Sequence, residues 1–334
     1  LQVTGALAAA DLGPTFPAEC PLQITRTWVL DNGNLALRFT LKNKSAVALQ
    51  VGTLGIPLAF NNSITGRNLK QTHEICSFSD PYIGQDAGYL QVTRLSGKGP
   101  ALVVVPEKGT PFDAYQPLSE PMRPNQTFEG MFAWLVHSKA YAENEWKNAA
   151  PWNAPSSTIL APGASRTYGL KFLLSPSIRD IENTLTAARR PGAVGIPGYV
   201  LPQDIEGKLF LRHAVRAQSL AVEPAGALTF KISKAGNGWQ ALTLRGAKWG
   251  RARLTITYAD GLKQRVNYYV TKPAAQAVSD LGRFLMTRQW FEKADDPFSK
   301  NRVRIPSQRN CLGAGLREDV TGKNPSAYNG KCDR

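Results

Sequence analysis

The sequence predicts a mainly β protein: a large antiparallel β-sandwich followed by a small immunoglobulin-like β-domain, with a connecting helix, a C-terminal helix and an irregular tail. Three observations carry this. Apolar and polar residues alternate over short runs, as in strands with one buried face. Clusters of Gly, Pro and Asn separate those runs. Only two stretches, Ser177–Arg190 and the segment after Pro273, change to helical spacing.

The elements follow in chain order. Leu35, Leu37, Phe39 and Leu41 alternate with Ala36, Arg38 and Thr40. Asp31-Asn32-Gly33 before them reads as a hairpin turn, because Asn and Gly tolerate positive φ. The run AVALQVGTLGIPLAFNN places Leu54, Ile56, Leu58 and Phe60 on one face, with Gly52 and Gly55 marking a bulge or a close backbone approach. Further strands are expected at Tyr89–Arg94, Ala101–Pro106, Met131–His137 and Ser165–Leu174, which places the large sandwich at 1–176. Ile178, Ile181 and Leu185 share a helix face in 177–192, stopped by Pro191-Gly192 and read as a packing strut. Five short strands, LFLRHAV, GALTFKIS, WQALTLRG, RARLTITYAD and KQRVNYYVT, give the small domain at 193–272. Val278, Leu281 and Leu285 give a helix at 273–293 with Pro273 in its first turn. The stretch 294–334 is polar, Gly-rich and basic.

Composition bounds the function. The chain has 334 residues, of which 43% are hydrophobic and 19% charged, values of a globular protein. Its longest apolar runs, such as ALVVV at Ala101–Val105, are too short to span a bilayer, so no membrane segment is expected. The chain opens on Leu1 with no leader pattern, and sequons occur at Asn43, Asn61 and Asn125. Four cysteines show no CxxC spacing. Together these imply a secreted, extracellular glycoprotein, either a mature chain whose leader has been removed or an excised fragment, with Cys20 expected to pair with Cys76 and Cys311 with Cys332.

The formal charge is +15. An acidic polysaccharide or cell wall, a nucleic acid, or solubility alone could account for it. Between Ala193 and Lys272, twelve Lys or Arg face four Asp or Glu, but they are scattered through alternating segments. There is no arginine-rich helix, zinc finger or RNP-like aromatic sequence, so nucleic acid is not favoured.

The chemistry-bearing residues gather in two stretches. No GxSxG elbow, phosphate loop or dinucleotide fingerprint is present. His73, His137 and His213 have no partners at metal-ligand spacing, so neither metal nor cofactor is expected. The stretch YAENEWKNAAPWNAP, Tyr141–Pro155, combines flat rings with acids and amides, as sugar-binding loops do. Two loops, His73–Tyr89 and His137–Asn153, are read as lining a substrate groove. Trp146 and Trp152 would stack on sugar rings, with Tyr82 and Tyr141 adding aromatic surface. His73, Asp80, Asp86, Glu143, Glu145 and Asn153 would bond hydroxyls. The alternative is that the tryptophans seal a domain interface while the polar groups satisfy buried backbone. Glu143 and Glu145 point to one side of an extended segment and cannot flank a glycosidic bond, so no catalytic pair is assigned.

The strings GTLGIPLAFNN, THEICSFSDPYIGQDAGYLQVTRLSG, YAENEWKNAAPWN and RFLMTRQWFEKADDPFSK resemble the N-terminal part of a family of large secreted fungal and bacterial proteins. The resemblance spans roughly Leu35 to Ser299. In that family a β-sandwich and a small β-domain precede an (α/α)6 toroid of the six-hairpin glycosidase type. It implies that catalytic groups lie in the toroid, whose first helix carries RQWFEKADDPF, so that a second chain or a remainder of the polypeptide carries them, or the chain is a truncated product without catalysis. Three readings follow. The chain is the all-β accessory part of a polysaccharide-directed glycoside hydrolase and is not catalytic alone; or it is a non-catalytic glycan- or wall-binding protein with a basic, aromatic-bearing surface; or its own β-domains carry an unrecognised hydrolytic site. Exposure of the apolar stripe on the Val278–Phe291 helix would separate the first reading from the second.

Overall fold

The computed structural model describes residues 9–118, 131–291 and 302–303. Asn125, Cys311, Cys332 and most of the expected tail lie outside them. The N-terminal unit runs through β1 (Ala9–Asp11), β2 (Leu22–Asp31), β3 (Asn34–Asn43), β4 (Leu49–Val51), β5 (Leu54–Ala59), helix α1 (Leu69–Ile75), β6 (Ser77–Tyr82), β7 (Tyr89–Arg94), β8 (Ala101–Pro106), β9 (Ala114–Pro117), β10 (Met131–His137), helix α2 (Lys139–Glu143), β11 (Thr158–Leu160) and β12 (Ser165–Ser175). Seven strands form one sheet in the order β1-β2-β3-β12-β8-β7-β6; β5-β10-β9 and β11-β4 form two smaller sheets. The seven-stranded sheet is antiparallel throughout.

Local chemistry explains the pairing. The β2–β3 hairpin closes on Asn32 and Gly33 at φ 50° and 76°, with Asp31 opposite Asn34. Two positive φ values give a turn whose twist matches that of the strands. The same alternation delivers Leu37, Leu41, Ile56, Leu58, Val104 and Leu170 to one buried core. Its centre is Trp134, stacked on Phe112 with ring centroids 3.6 Å apart, its indole N–H donating to the Pro111 carbonyl at 3.0 Å. At Gly55 a β-carbon would lie 2.9 Å from the Leu135 side chain, so the glycine leaves room for that side chain against β5.

A 3₁₀ turn (Ile178–Asp180) and helix α3 (Ile181–Ala187) follow, burying Ile181 and Leu185 against Ala101, Val103, Val105 and Leu173 on the outer face of the large sheet. The second unit comprises β13 (Gly192–Ile196), β14 (Val200–Pro202), β15 (Glu206–Arg212), β16 (Ala217–Glu223), β17 (Leu228–Lys234), β18 (Gln240–Gly246), β19 (Gly250–Tyr258) and β20 (Lys263–Thr271). These make two four-stranded sheets, β13-β15-β18-β17 and β14-β20-β19-β16, around a core that includes Leu209, Leu242, Leu254, Ile256 and Val270. The β14–β20 pair is parallel. Helix α4 (Ala274–Arg288) buries none of its residues, and Trp290–Phe291 pairs with Arg302–Val303 beyond it. No described helix is long and apolar enough to cross a membrane.

The fold is mainly β, and several local expectations need correction. Cys20 and Cys76 are free thiols; the buried Cys76 Sγ donates to the Ser63 carbonyl at 3.3 Å and accepts from Arg67 at the same distance. Asn43 is fully buried, its Nδ2 donating to the carbonyls of Val47 and Leu160 at 2.7 and 2.9 Å. A glycan needs that nitrogen free, so the first sequon is structural, whereas Asn61 is exposed. The His73–Tyr89 segment is not a loop, since α1, β6 and a 3₁₀ turn at Gln85–Ala87 occupy it. The small unit has β13, β14 and β16 beyond the five expected strands.

Replacing Trp134 by Ala removes the ring at the centre of the sandwich and is expected to lower unfolding free energy by about 3–5 kcal/mol. Ile159→Ala, at a 69% exposed position, is expected to change it by less than about 0.5 kcal/mol. Urea denaturation of both variants measures the difference.

Candidate functional site

A cleft of about 560 Å³ separates the two units. One wall is the β6–β7 hairpin at the edge of the large sheet. There the register sets Asp80 opposite Gln91 and Tyr82 opposite Tyr89. Residues two apart share a face, so both pairs project together. Gln91 Nε2 donates to Asp80 Oδ2 at 2.6 Å, and the two tyrosine rings stack with centroids 5.2 Å apart. Glu182 of α3, Ala193–Gly195 of β13, Tyr199, and Val266 and Asn267 of β20 supply the remaining walls. Trp152 closes the site and is 55% exposed.

Burial pushes the Tyr82, Tyr89 and Tyr199 hydroxyls up in pKa, so they are neutral hydrogen-bonding groups at ordinary pH. Two are engaged with main chain: Tyr82 donates to the Arg265 carbonyl, and Tyr199 donates to Ala193 at 3.1 Å while accepting from Gly195 at 3.2 Å.

Trp152 is held from several directions. Arg253 donates to its carbonyl, and Arg251 donates to the Ala150 carbonyl at 3.0 Å with its guanidinium 5.9 Å from the Trp152 ring centroid. The next residue, Asn153, is buried, and its Nδ2 faces the carbonyls of Ile83, Phe112 and Asp113 at 3.1–3.3 Å. Arg265 bonds the Gln85 side chain, whose Nε2 donates to Ala154 at 3.1 Å. Arg190 spans the junction to the carbonyls of Asp86 and Pro106.

A buried polar chain anchors the far end of the same loop. Ser156 Oγ lies 2.7 Å from Asp113 Oδ2 and 2.8 Å from His137 Nδ1, and His137 Nε2 lies 2.9 Å from the Tyr168 hydroxyl. The ladder shifts register between Leu135 and His137, where β10 turns into the loop. Burial, reinforced by the charge of Arg166, pushes the His137 pKa down to about 4. Burial raises that of Asp113, against hydrogen bonds from Ser156 and Ser138 that lower it.

Of the residues singled out from sequence, the structure brings Asp80, Tyr82 and Trp152 together in the cleft. The others lie outside its lining. Tyr141 and Trp146 stack on each other at 4.7 Å, Glu143 pairs with Lys139, and Glu145 is exposed. His73 is exposed on α1. Asp86 takes part through its carbonyl, and Asn153 is a brace whose amide is committed to backbone. Sequence reading missed Tyr89, Gln91, Glu182, Tyr199 and Asn267; the strand alternation of β7 was the available signal for the first two. No cluster of three or more His, Cys, Asp or Glu that could hold a metal occurs among the described residues.

The His137 chain makes stability pH-dependent. The unfolded histidine takes its proton near 6.5, while the folded one resists until about 4, so its contribution is complete above 6.5 and lost as pH falls through that window. Asp113, raised in the folded state, acts in the opposite direction. Urea midpoints of the protein and of His137→Gln are therefore compared across this window. The gap between their pH slopes is expected to show an extra acid-side loss in the parent protein.

No curated protein matches the sequence. Among solved structures, a polysaccharide lyase superposes with a TM-score of 0.62 at 13% identity, covering 89% of this chain and 40% of that one. The chain therefore spans well under half the length of this neighbour and shares its fold. A family profile matches residues 1–309, and the chain belongs to DUF5695, a family of unknown function.

Proposed function

We propose that this chain is the all-β, glycan-binding accessory part of a secreted carbohydrate-active enzyme, and that the inter-unit cleft is where it holds polysaccharide. The observation that carries the reading is Trp152: an exposed ring fixed by Arg251, Arg253 and Asn153 at the rim of a cleft with hydrogen-bonding walls. A pre-oriented aromatic face beside carboxylate and amide groups suits a pyranose, whose C–H face stacks while its hydroxyls are gripped at the edge. The fold shared with a polysaccharide lyase supports a carbohydrate-directed role.

The catalytic part is placed in an (α/α)6 toroid seated on α4, making the parent a glycoside hydrolase. Val278, Leu281 and Phe284 recur at helical spacing on α4 and are exposed, Val278 to 70%. Such a stripe is normally covered. The 40% coverage of the structural neighbour supports a longer parent polypeptide.

Trp152→Ala is expected to weaken oligosaccharide binding by about tenfold or more without lowering stability, in line with the worth of an aromatic stacking contact. Trp146→Ala is expected to leave affinity unchanged. Titration calorimetry with a panel of plant and fungal oligosaccharides decides this, and equal affinity in all three proteins would reject the cleft. Leu281→Asp should leave the thermal midpoint of this chain nearly unchanged and lower that of a longer polypeptide carrying the toroid. Equal shifts in both would reject the docking of α4.

A further inference from the structure

We infer that the cleft selects a non-acidic glycan, with a protonated amino sugar preferred, and excludes uronate polymers despite the net charge of +15. This rests on the cleft being the glycan site. The basic composition points toward acidic polysaccharides, but the charge inside the cleft has the opposite sign. Among the described residues, its lining includes the carboxylates Asp80 and Glu182 and no Lys, Arg or His. Both negative charges bear on the Tyr89 hydroxyl, so they act on the same part of the cavity.

The cations beside the cleft are already engaged. Arg251 and Arg253 bond the carbonyls of Ala150 and Trp152, and Arg265 bonds Gln85. They hold the walls, and none of them is among the residues that line the cleft, where a sugar carboxylate would need a bidentate guanidinium. The three tyrosines are neutral, with two hydroxyls bonded to backbone. Asp80 has one oxygen engaged by Gln91, which fixes the carboxylate and leaves the other oxygen for a ligand donor.

A uronate entering this space would bring a third carboxylate against the two already lining it, with solvent partly excluded. A neutral pyranose donates hydroxyl protons to Asp80 and Glu182 and meets no such repulsion. A glucosamine ammonium gains charge-assisted hydrogen bonds. The 560 Å³ volume limits the part held in the cleft to a short segment of a sugar chain.

The test is calorimetry of the full chain at near-physiological salt with three oligosaccharides of equal length: glucosamine, neutral glucose and galacturonate oligomers. The glucosamine oligomer is expected to bind tightest and the galacturonate at least about tenfold more weakly than the neutral one, or about 1.4 kcal/mol. Glu182→Gln and Asp80→Asn, each checked for an unchanged melting temperature, should reduce the glucosamine preference several-fold and relieve the discrimination against galacturonate. Because the two variants lie on different elements, a folding defect in one leaves the other informative. Galacturonate binding as tightly as the neutral oligomer, through a site that Trp152→Ala abolishes, overturns the charge selection while keeping the cleft. Binding that Trp152→Ala leaves untouched, or no binding of any oligomer, removes the cleft reading and this inference with it.

Discussion

The architecture depends on a set of arginines gripping main-chain carbonyls across the junction of two β-units. Arg190, Arg251 and Arg253 each donate to carbonyls of the first unit, and Arg265 holds a side chain there. A carbonyl is present whatever the side chain, so this attachment does not depend on the identity of the loop residues it holds. Guanidinium groups suit the task because their donors form a rigid planar fork and stay charged when partly desolvated. Burial lowers the pKa of Arg190 and Arg265 from a very high starting value, which leaves them cationic. The cleft exists because these contacts fix the units edge to face with space between them.

That junction also gives the scattered basic residues of the second unit a partial purpose. From sequence they read as solvated outward positions of alternating strands. Arg251, Arg253 and Arg265 do point away from the core formed by Leu254, Ile256 and Val266, as alternation requires. Outward for the strand is inward for the molecule here, because the large unit lies on that face. A period-two pattern reports which side leaves the local core; it cannot report whether solvent or another unit waits there.

The same distinction explains which parts were legible. Strands β7, β8 and β10 follow the expected spans because their apolar runs are bounded by turn chemistry. The β2–β3 turn was readable because Asn-Gly has few other conformational uses. Strand β6, Ser-Phe-Ser-Asp-Pro-Tyr, was hidden by its proline and its polar outward positions, so its residues looked like loop. Strands β13 and β14 lay beside Pro and Gly, which signal turns. Within the candidate site, Trp152 and Asp80 were visible as chemistry, but Trp146 and Asn153 carry equally suggestive side chains and lie outside the cleft lining, one stacked on Tyr141 and the other bonded to backbone. Only three-dimensional neighbours, such as the carbonyls around Asn153, tell a ligand contact from a brace. Glu182 could not be found by composition, since it faces the cleft from a helix read as a strut.

Both edges of the seven-stranded sheet are poor templates for further strands. At one end β1 has three residues among those described; at the other, Pro81 of β6 removes a backbone donor from the open edge. The hairpin that forms a cleft wall is therefore also the point where chain-to-chain sheet growth is discouraged. The large sheet can therefore meet a second copy of itself at high concentration without the two zipping edge to edge into fibres.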